Sequence, residues 1–300
     1  MPDASTSSSR PNGPFDLGRV MASAHAAMTS ENLEELDRLA NLILENQPGY
    51  PAAKFFLAIA EAKRGNSVSA IEQFLELHTA NPNAFEPIEW LANLYREQGY
   101  FKESIDYALK MVRKRPNYPG GAAILGMCYL DLGDAEKGLE CMQKANFLDP
   151  KSPAFIFQMG RAYQQLGQIP NAIDSYQTAI KLDPKVPQFH ASLGKLLFDN
   201  GLREEGIQAL EAVTRLDPSA DSFLLLGSAF LETGDSAQAV DALQQAVSLN
   251  DQLAPAYEIL GFALQGVGRE EEAISSLKRA LELDPYRLEA KKALDLLDNR

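Results

Sequence analysis

The stretch PAFIFQMGRAYQQLGQIPNAIDSYQTAIKLDPKV, residues 153–186, decides the fold, because the chain repeats its pattern seven times. Each copy has a glycine followed 17 residues later by Pro or Asp, and every copy but one is 34 residues long. The glycines are Gly65, Gly99, Gly133, Gly167, Gly201, Gly234 and Gly268, and their partners are Pro82, Pro116, Pro150, Pro184, Pro218, Asp251 and Pro285. A fixed period of this length is typical of a stack of identical supersecondary units.

Apolar and small residues recur at fixed places within each copy, numbered so that the glycine is position 15. Position 7 carries a large apolar residue, whereas positions 8 and 20 stay small. Position 8 reads Ala58, Ala92, Gly126, Gly160, Gly194, Gly227 and Gly261, and position 20 reads Ala70, Ser104, Gly138, Ala172, Gly206, Ala239 and Ala273. Spacings of three, four and seven give each half of the unit one apolar stripe. The pattern predicts two antiparallel helices that approach closely at the small residues.

The helix boundaries follow from the glycine and the proline of each copy. A glycine at position 15 ends the first helix in a left-handed conformation that costs glycine little. The proline at position 32 closes the second helix, because its ring clashes with a continuing helical backbone. Each copy is therefore predicted to be a helix of about 14 residues, a turn, and about 14 more.

This pattern resembles the tetratricopeptide repeat. Residues 153–186 carry the resemblance at Gly160, Tyr163, Gly167, Ala172, Tyr176, Ala179 and Pro184. The resemblance implies an all-α fold, a right-handed α-α superhelix (solenoid) of tandem helix-turn-helix units. We assign seven repeats, at 51–84, 85–118, 119–152, 153–186, 187–219, 220–253 and 254–287. The fifth is one residue short, before Asp221, which predicts a local irregularity there.

The ends of the array differ from its middle, as terminal repeats must cover apolar surface on only one side. Residues 15–50 are predicted to be a degenerate N-terminal repeat, since they lack the central glycine. Residues 288–300 are predicted to be a C-terminal capping helix, with Asp295 and Asp298 where no second helix could pack. The polar stretch 1–14 buries little and is predicted to be a disordered tail.

Composition and charge argue against several classes of function. The net charge of −13 disfavours nucleic-acid and membrane-surface binding, because it repels polyanions. We find neither an apolar run of membrane-spanning length nor a signal peptide, so we expect a cytoplasmic protein. Cys128 and Cys141 are expected to be reduced thiols in such a compartment.

No pattern in the sequence indicates catalysis, a cofactor or a metal, and we expect a protein that is not an enzyme. The three histidines, His25, His78 and His190, fall in different repeats without other ligands at metal-binding spacing. A basic cluster of Lys110, Arg113, Lys114 and Arg115 could suggest an anionic partner. The favoured interpretation is that these cations complement the helix dipole at the end of a second helix.

The resemblance implies that ligands lie on a concave face lined by positions 2, 5, 9 and 12 of the first helices. In this chain the predicted peptide-binding groove consists of Phe55, Ile59, Asn93, Arg96, Met127, Leu130, Phe157, Arg161, Gln164, Lys195, Phe198 and Leu231. Leu224, Glu258, Phe262 and Gln265 hold the same positions further along. Apolar anchors mixed with hydrogen-bonding groups favour the binding of a peptide or a helix.

We therefore predict a non-catalytic scaffold or adaptor whose partner is a protein or peptide. Chaperone C-terminal tails are disfavoured, because four of the lysine, asparagine and arginine residues that similar arrays use to clamp them are replaced here, by Glu89, Ile124, Ala154 and Gln158. Two alternatives stay open. The chain could be a recruitment or regulatory subunit for a separate enzyme, or a self-associating scaffold whose groove takes residues 11–15 of a neighbouring copy.

Overall fold

The computed structural model describes residues 15–298, and within that range it contains seventeen α-helices and no β-strand. The helices are α1 (Leu17–Thr29), α2 (Leu33–Asn46), α3 (Pro51–Lys63), α4 (Ser67–Ala80), α5 (Glu86–Glu97), α6 (Phe101–Lys114), α7 (Pro119–Asp131), α8 (Ala135–Leu148), α9 (Pro153–Gln165), α10 (Ile169–Leu182), α11 (Pro187–Asp199), α12 (Arg203–Leu216), α13 (Ala220–Glu232), α14 (Ser236–Leu249), α15 (Ala254–Gly266), α16 (Glu270–Leu283) and α17 (Leu288–Asp298). The predicted tail, residues 1–14, and the side chain of Asp298 lie outside the described residues.

The chain divides into two compact units, Met1–Leu132 and Gly133–Arg300, which we call unit 1 and unit 2. Unit 1 holds α1 to α7, and unit 2 holds α8 to α17. Odd-numbered helices are the first helices of the repeats and even-numbered helices are the second helices.

Helices pack in the same order within each unit. In unit 1, α4 contacts both α3 and α5, and α6 contacts both α5 and α7. In unit 2, α10, α12, α14 and α16 each contact the first helix before them and the first helix after them. Every such second helix therefore lies between two consecutive first helices, and the fold is an all-α helical repeat solenoid, as the sequence predicts.

The helices end where the sequence predicts. All seven glycines at position 15 have φ values between 71° and 85°, in the left-handed region. At the end of α3, the N–H of Gly65 donates to the carbonyl of Ala62 at 3.1 Å, and the N–H of Asn66 donates to the carbonyl of Glu61 at 2.9 Å. This pair of bonds satisfies carbonyls that the helix itself leaves without donors.

The small residues at position 8 allow the two helices of a repeat to touch. A Cβ atom added to Gly160 would lie 2.6 Å from a ring carbon of Tyr176 on α10. A Cβ on Gly227 or Gly261 would lie 2.6 Å from the Cγ of Leu243 or Leu277, respectively. Since real Cβ contacts are longer, the second helix could not come so close to a larger residue.

The N-terminal repeat keeps the same turn without its glycine. Glu31 holds the position of the missing glycine, and its φ of 55° is the only positive value among the non-glycine residues of the described range. The N–H of Asn32 donates to the carbonyl of Ala27 at 2.9 Å, which repeats the bond made by Asn66 in the next repeat. The turn geometry is therefore imposed by packing, at the cost of backbone strain at Glu31.

The C-terminal helix α17 is attached through a buried carboxylate on α15. Glu258 is only 8% exposed, and its Oε2 accepts a hydrogen bond from Nε of Arg287 at 2.8 Å and a second one from Nη2. Its Oε1 accepts from the backbone N–H of Ala290, in the first turn of α17, at 3.1 Å. The prediction that Glu258 faces a ligand groove is wrong, because the carboxylate is used within the fold.

Replacing Glu31 by glycine should stabilise unit 1. We expect Glu31→Gly to raise the midpoint of thermal unfolding by about 1–3 °C, because glycine removes the left-handed strain. The exposed ion pair between Glu31 and Lys63, 2.5 Å long, is lost as well, but solvent screens it. The control Lys63→Ala removes the ion pair and keeps the strain, so its midpoint should not change. A midpoint lowered equally in both variants would show that the ion pair outweighs the strain.

Removing the Glu258 carboxylate should loosen α17 selectively. We expect Glu258→Ala to accelerate amide hydrogen exchange in α17 by roughly tenfold or more, because the N–H of Ala290 loses its acceptor and the partly buried Arg287 keeps only the longer contact with Asp284, at 3.7 Å. Exchange in α3 to α7 should stay unchanged, since each repeat contacts only its neighbours. The control is Glu289→Ala on the same helix, which breaks only the exposed pair with Lys292. Equal acceleration in the two variants would contradict the anchoring role of Glu258.

Candidate functional site

The first helices of each unit form the layer that carries the candidate site. In unit 1, α5 contacts α7 directly, and in unit 2, α13 contacts α15. The second helices α14 and α16 do not approach each other as closely. Neighbouring helices come closest on the inside of a curve, so α13 and α15 line the inner side where these two repeats pack. We call the side of the first helices with positions 2, 5, 9 and 12 the first-helix face, since these positions share one side of a helix.

In unit 1, the polar groups on the first-helix face are partly bound to each other. Nη1 of Arg96 on α5 lies 3.6 Å from Oδ2 of Asp131 on α7, and both side chains are about three-quarters buried, with 25% and 23% exposure. Nδ2 of Asn93 donates to the carbonyl of Glu89 at 3.0 Å. Arg96 therefore ties neighbouring first helices together, which limits its freedom to contact a ligand.

Apolar residues on the same face of unit 1 are half-buried. Phe55 lies edge-on to Phe74, with ring centroids 5.6 Å apart, and Met127 is half-buried on α7. Each leaves part of its side chain at the surface and packs the remainder inside.

In unit 2, the residues of α9 are also tied within their own repeat. Nη1 of Arg161 donates to Oε1 of Gln158 at 2.8 Å. Oε1 of Gln164 accepts from the hydroxyl of Tyr176 at 2.8 Å. Burial raises the pKa of Tyr176 to about 12, so this phenol stays neutral and donates at neutral pH. Gln164 is therefore held in a fixed orientation.

The next first helix, α11, is more open. Lys195 is exposed, and it has no carboxylate partner within residues 15–298. Phe198 is half-buried, with the guanidinium carbon of Arg203 5.8 Å from its ring centroid. Leu231 on α13 is half-buried against the core of unit 2. Among the residues predicted for the groove, Lys195 and Phe198 leave a charge and an aromatic ring available on one helix.

Three residues predicted as ligand anchors lie in the core. Ile59 is 3% exposed, Leu130 is 1% exposed and Phe157 is 2% exposed. Phe157 lies against Tyr176 of its own second helix and Phe189 of the next first helix, with ring centroids 5.3 Å and 4.8 Å apart. Their prediction as accessible anchors is wrong, because all three side chains are buried, and Phe157 fills the junction with the next repeat.

The structure adds a cavity that the predicted residue set missed. It has a volume of about 440 Å³ and lies where α11 meets the end of α12 and the start of α13. Its lining consists of Pro187, Gln188, Ala191, Val213, Asp217, Ser219, Asp221, Ser222 and Leu225. Gln188 and Ala191 hold positions 2 and 5 of α11, on the first-helix face. The sequence signal for this cavity is the missing residue of the fifth repeat.

The connection at the cavity is well ordered by hydrogen bonds. Ser219 and Ser222 form a reciprocal capping box at the start of α13, with Ser222 N–H to Ser219 Oγ at 3.4 Å and Ser219 N–H to Ser222 Oγ at 3.1 Å. Oγ of Ser222 also lies 2.7 Å from the carbonyl of Asp217. The shortened connection therefore has a defined shape, and Asp217 and Asp221 stay exposed at its rim.

The residues considered for metal or thiol chemistry are dispersed. Within residues 15–298, no group of three or more His, Cys, Asp or Glu side chains is arranged to hold a metal ion. His25 lies edge-on to Phe56, and Nε2 of His190 lies 3.0 Å from the carbonyl oxygen of Pro184. Cys128 and Cys141 are free thiols, and burial raises the pKa of each.

None of the helices between residues 15 and 298 combines the length and the apolar character needed to cross a membrane.

Three family models for this type of repeat match the chain. A model described as a TPR repeat matches residues 160–201. A second model, described as a tetratricopeptide repeat, matches residues 192–258 and 224–287. A third, with the same description, matches residues 123–152. Together these matches cover more than half of the chain.

Several solved structures have a similar fold. A tetratricopeptide repeat protein from Parabacteroides merdae ATCC 43184 has a TM-score of 0.63 at 15% identity, covering 82% of this chain and 98% of that one. A chain of the APC/C hetero-tetramer Cut9-Hcn1 has a TM-score of 0.61 at 17% identity, and the match covers 93% of this chain but 55% of that one. The structure of MamA has a TM-score of 0.50 at 25% identity, and the match covers 55% of this chain and 96% of that one.

The chain thus spans about half the length of the Cut9-Hcn1 chain that it matches. A search of curated protein sequences gives no match. Over residues 123–152 and 160–287 the family models agree with the repeat period and with the left-handed glycines. The chain belongs to the tetratricopeptide repeat family, whose repeats serve in general as protein-interaction scaffolds.

Proposed function

We propose that this protein is a non-catalytic scaffold that binds a peptide segment on the first-helix face of unit 2, centred on α11. The observation that carries the proposal is a continuous stripe on that helix. Gln188, Ala191, Lys195 and Phe198 are spaced three, four and three residues apart, which places them on one side of α11. One end of the stripe lines the cavity of about 440 Å³.

The cavity, which is open to solvent, offers an apolar surface to a side chain of the ligand. Ala191, Val213 and Leu225 contribute its apolar lining. Burying an apolar side chain there would supply affinity without a matching charge. The half-buried ring of Phe198 extends the apolar surface along the helix.

Lys195 gives the stripe a polar preference. Its ammonium group has no carboxylate partner within residues 15–298, and it lies between Ala191 and Phe198 in the stripe. A carboxylate of the ligand could pair with it while neighbouring side chains are buried. The proposed ligand is therefore a peptide segment with an apolar anchor and an acidic group nearby.

Packing on both sides holds this site in place before the ligand arrives. The helix α11 contacts α10 and α12, and Phe189 and Leu196, which alternate with the stripe, are 5% and 2% exposed. A preformed site loses little conformational entropy on binding, so most of the ordering cost falls on the ligand.

Substitutions along α11 test this proposal. We would select ligands from a random peptide library against the wild-type chain and measure their affinity for the double variant Lys195→Glu, Phe198→Ala. The variant should bind at least about tenfold more weakly, because it reverses the charge and removes an aromatic anchor. The matched control is Lys181→Glu, Phe147→Ala, which makes the same changes at exposed positions of second helices.

Circular dichroism and thermal unfolding should first show that both variants are folded. A third variant, Ala191→Met, places a longer side chain in the cavity and should also weaken binding. Selected peptides that bind the α11 variant and the control with equal affinity would contradict the proposal. Photo-crosslinks that map to second helices only would contradict it as well.

A further inference from the structure

We infer that unit 1 carries a second docking surface, at the end of α6, for a short carboxylate-rich segment of a partner protein. The surface consists of Lys110, Arg113 and Lys114, which we call the basic face. Arg113 and Lys114 are three and four residues after Lys110, so both are neighbours of Lys110 on the surface of the last turns of α6. The basic face lies on a second helix and is therefore distinct from the first-helix face.

The three cations of the basic face have no acidic partners. Within residues 15–298, no carboxylate lies within ion-pairing distance of Lys110, Arg113 or Lys114. Many other basic residues of the described range are paired, as Arg38 is with Glu35 and Arg279 with Glu282. The chain has 41 acidic and 28 basic residues, so an unpaired cluster of cations stands out against an excess of available carboxylates.

The helix dipole does not account for this cluster. If cations were placed to complement the C-terminal dipole, the other second helices should carry them too. The last turns of α2, α8, α14 and α16 contain no basic residue, and those of α4, α10 and α12 contain one each. Only α6 combines two in its last turn with a third one turn earlier and Arg115 directly after it. We therefore infer that the cations at the end of α6 form a binding surface and do not serve mainly to complement the helix dipole.

Neighbouring groups hold two of the three cations in place. Nζ of Lys110 lies 4.0 Å from the ring centroid of Tyr107, and Nζ of Lys114 donates to Oδ1 of Asn83 at 3.2 Å. The ring of Tyr107 is itself stacked on Tyr95, with centroids 5.7 Å apart. Lysine side chains held in this way lose less freedom when they bind an anion.

The basic face extends to the end of α4. His78 lies edge-on to Tyr107, with ring centroids 5.7 Å apart. Its pKa is lowered, first by burial and then by the charges of Lys110 and Lys114. His78 therefore lies close enough to Lys110 and Lys114 for their charges to act on it.

Charge and size favour a short acidic peptide as the occupant. Lys110 to Lys114 covers about one helical turn, or about 6 Å, which matches two or three carboxylates. Long polyanions such as nucleic acid or an anionic membrane would extend beyond this patch and meet a chain with a net charge of −13. At physiological salt, charges interact over only about 8 Å. A short acidic segment bound to the basic face is therefore attracted by these cations and little repelled by the acidic residues elsewhere on the chain.

Neutralising the basic face tests the inference. A fluorescein-labelled hexaglutamate peptide is titrated with the full chain in about 50 mM salt, where screening is weak, and binding is read by fluorescence anisotropy. The triple variant Lys110→Gln, Arg113→Gln, Lys114→Gln should bind at least about tenfold more weakly than wild type. The matched control Lys54→Gln, Lys181→Gln, Lys278→Gln changes the net charge equally at scattered exposed positions and should bind like wild type.

The remaining outcomes separate the alternatives. Wild type that does not bind the peptide, or a triple variant that binds as well as wild type, would overturn the inference. Tighter binding to anionic lipid vesicles or to single-stranded DNA than to the peptide would assign the face to another class of partner. The variant Lys195→Glu, Phe198→Ala should keep hexaglutamate binding, so failure of the α11 site and failure of the basic face can be distinguished.

Discussion

The structure depends on the close approach of two helices at the small residue of position 8. In three repeats, a single added methyl group would lie 2.6 Å from the side chain of the facing helix. This contact sets how deep Tyr176, Leu243 and Leu277 sit, and all three are at most 1% exposed. The first helix of the next repeat then packs on the second helix that this contact has positioned. A substitution at position 8 would therefore act on the whole pair, whereas a surface substitution acts only locally.

Much of the fold follows from the sequence because its boundaries are set by local chemistry. Glycine at position 15 and proline at position 32 act within one turn of the backbone, so their effect does not depend on distant residues. Glu31 shows the limit of that argument. The sequence gives no sign that it adopts the left-handed turn of the missing glycine, because the packing of α1 against α2 and α3 imposes it.

The candidate site was less predictable for a physical reason. Periodicity tells which side of a helix a residue occupies, but not how far a long side chain reaches sideways. Phe157 holds a position of the first-helix face, but its ring lies between Tyr176 and Phe189. Lys195 also holds a position of the first-helix face, and its side chain is exposed. The cavity beside α11 depends on the length of the connection after α12, and its shape could not be derived from residue types. Glu258 is similar, since its role depends on an arginine 29 residues away.

The two proposed surfaces would select partners by different forces. Apolar burial in the cavity beside α11 changes little with ionic strength, whereas attraction to the basic face of α6 weakens steeply as salt rises. Both surfaces use positions that the close helix contact leaves free to vary, so either can change without altering the fold. The repeat pattern therefore specifies a scaffold, and the choice of partner resides in side chains such as Lys195, Phe198 and Arg113. For this reason the period of the sequence indicates the family, whereas the partner must be inferred from the side chains that differ between repeats.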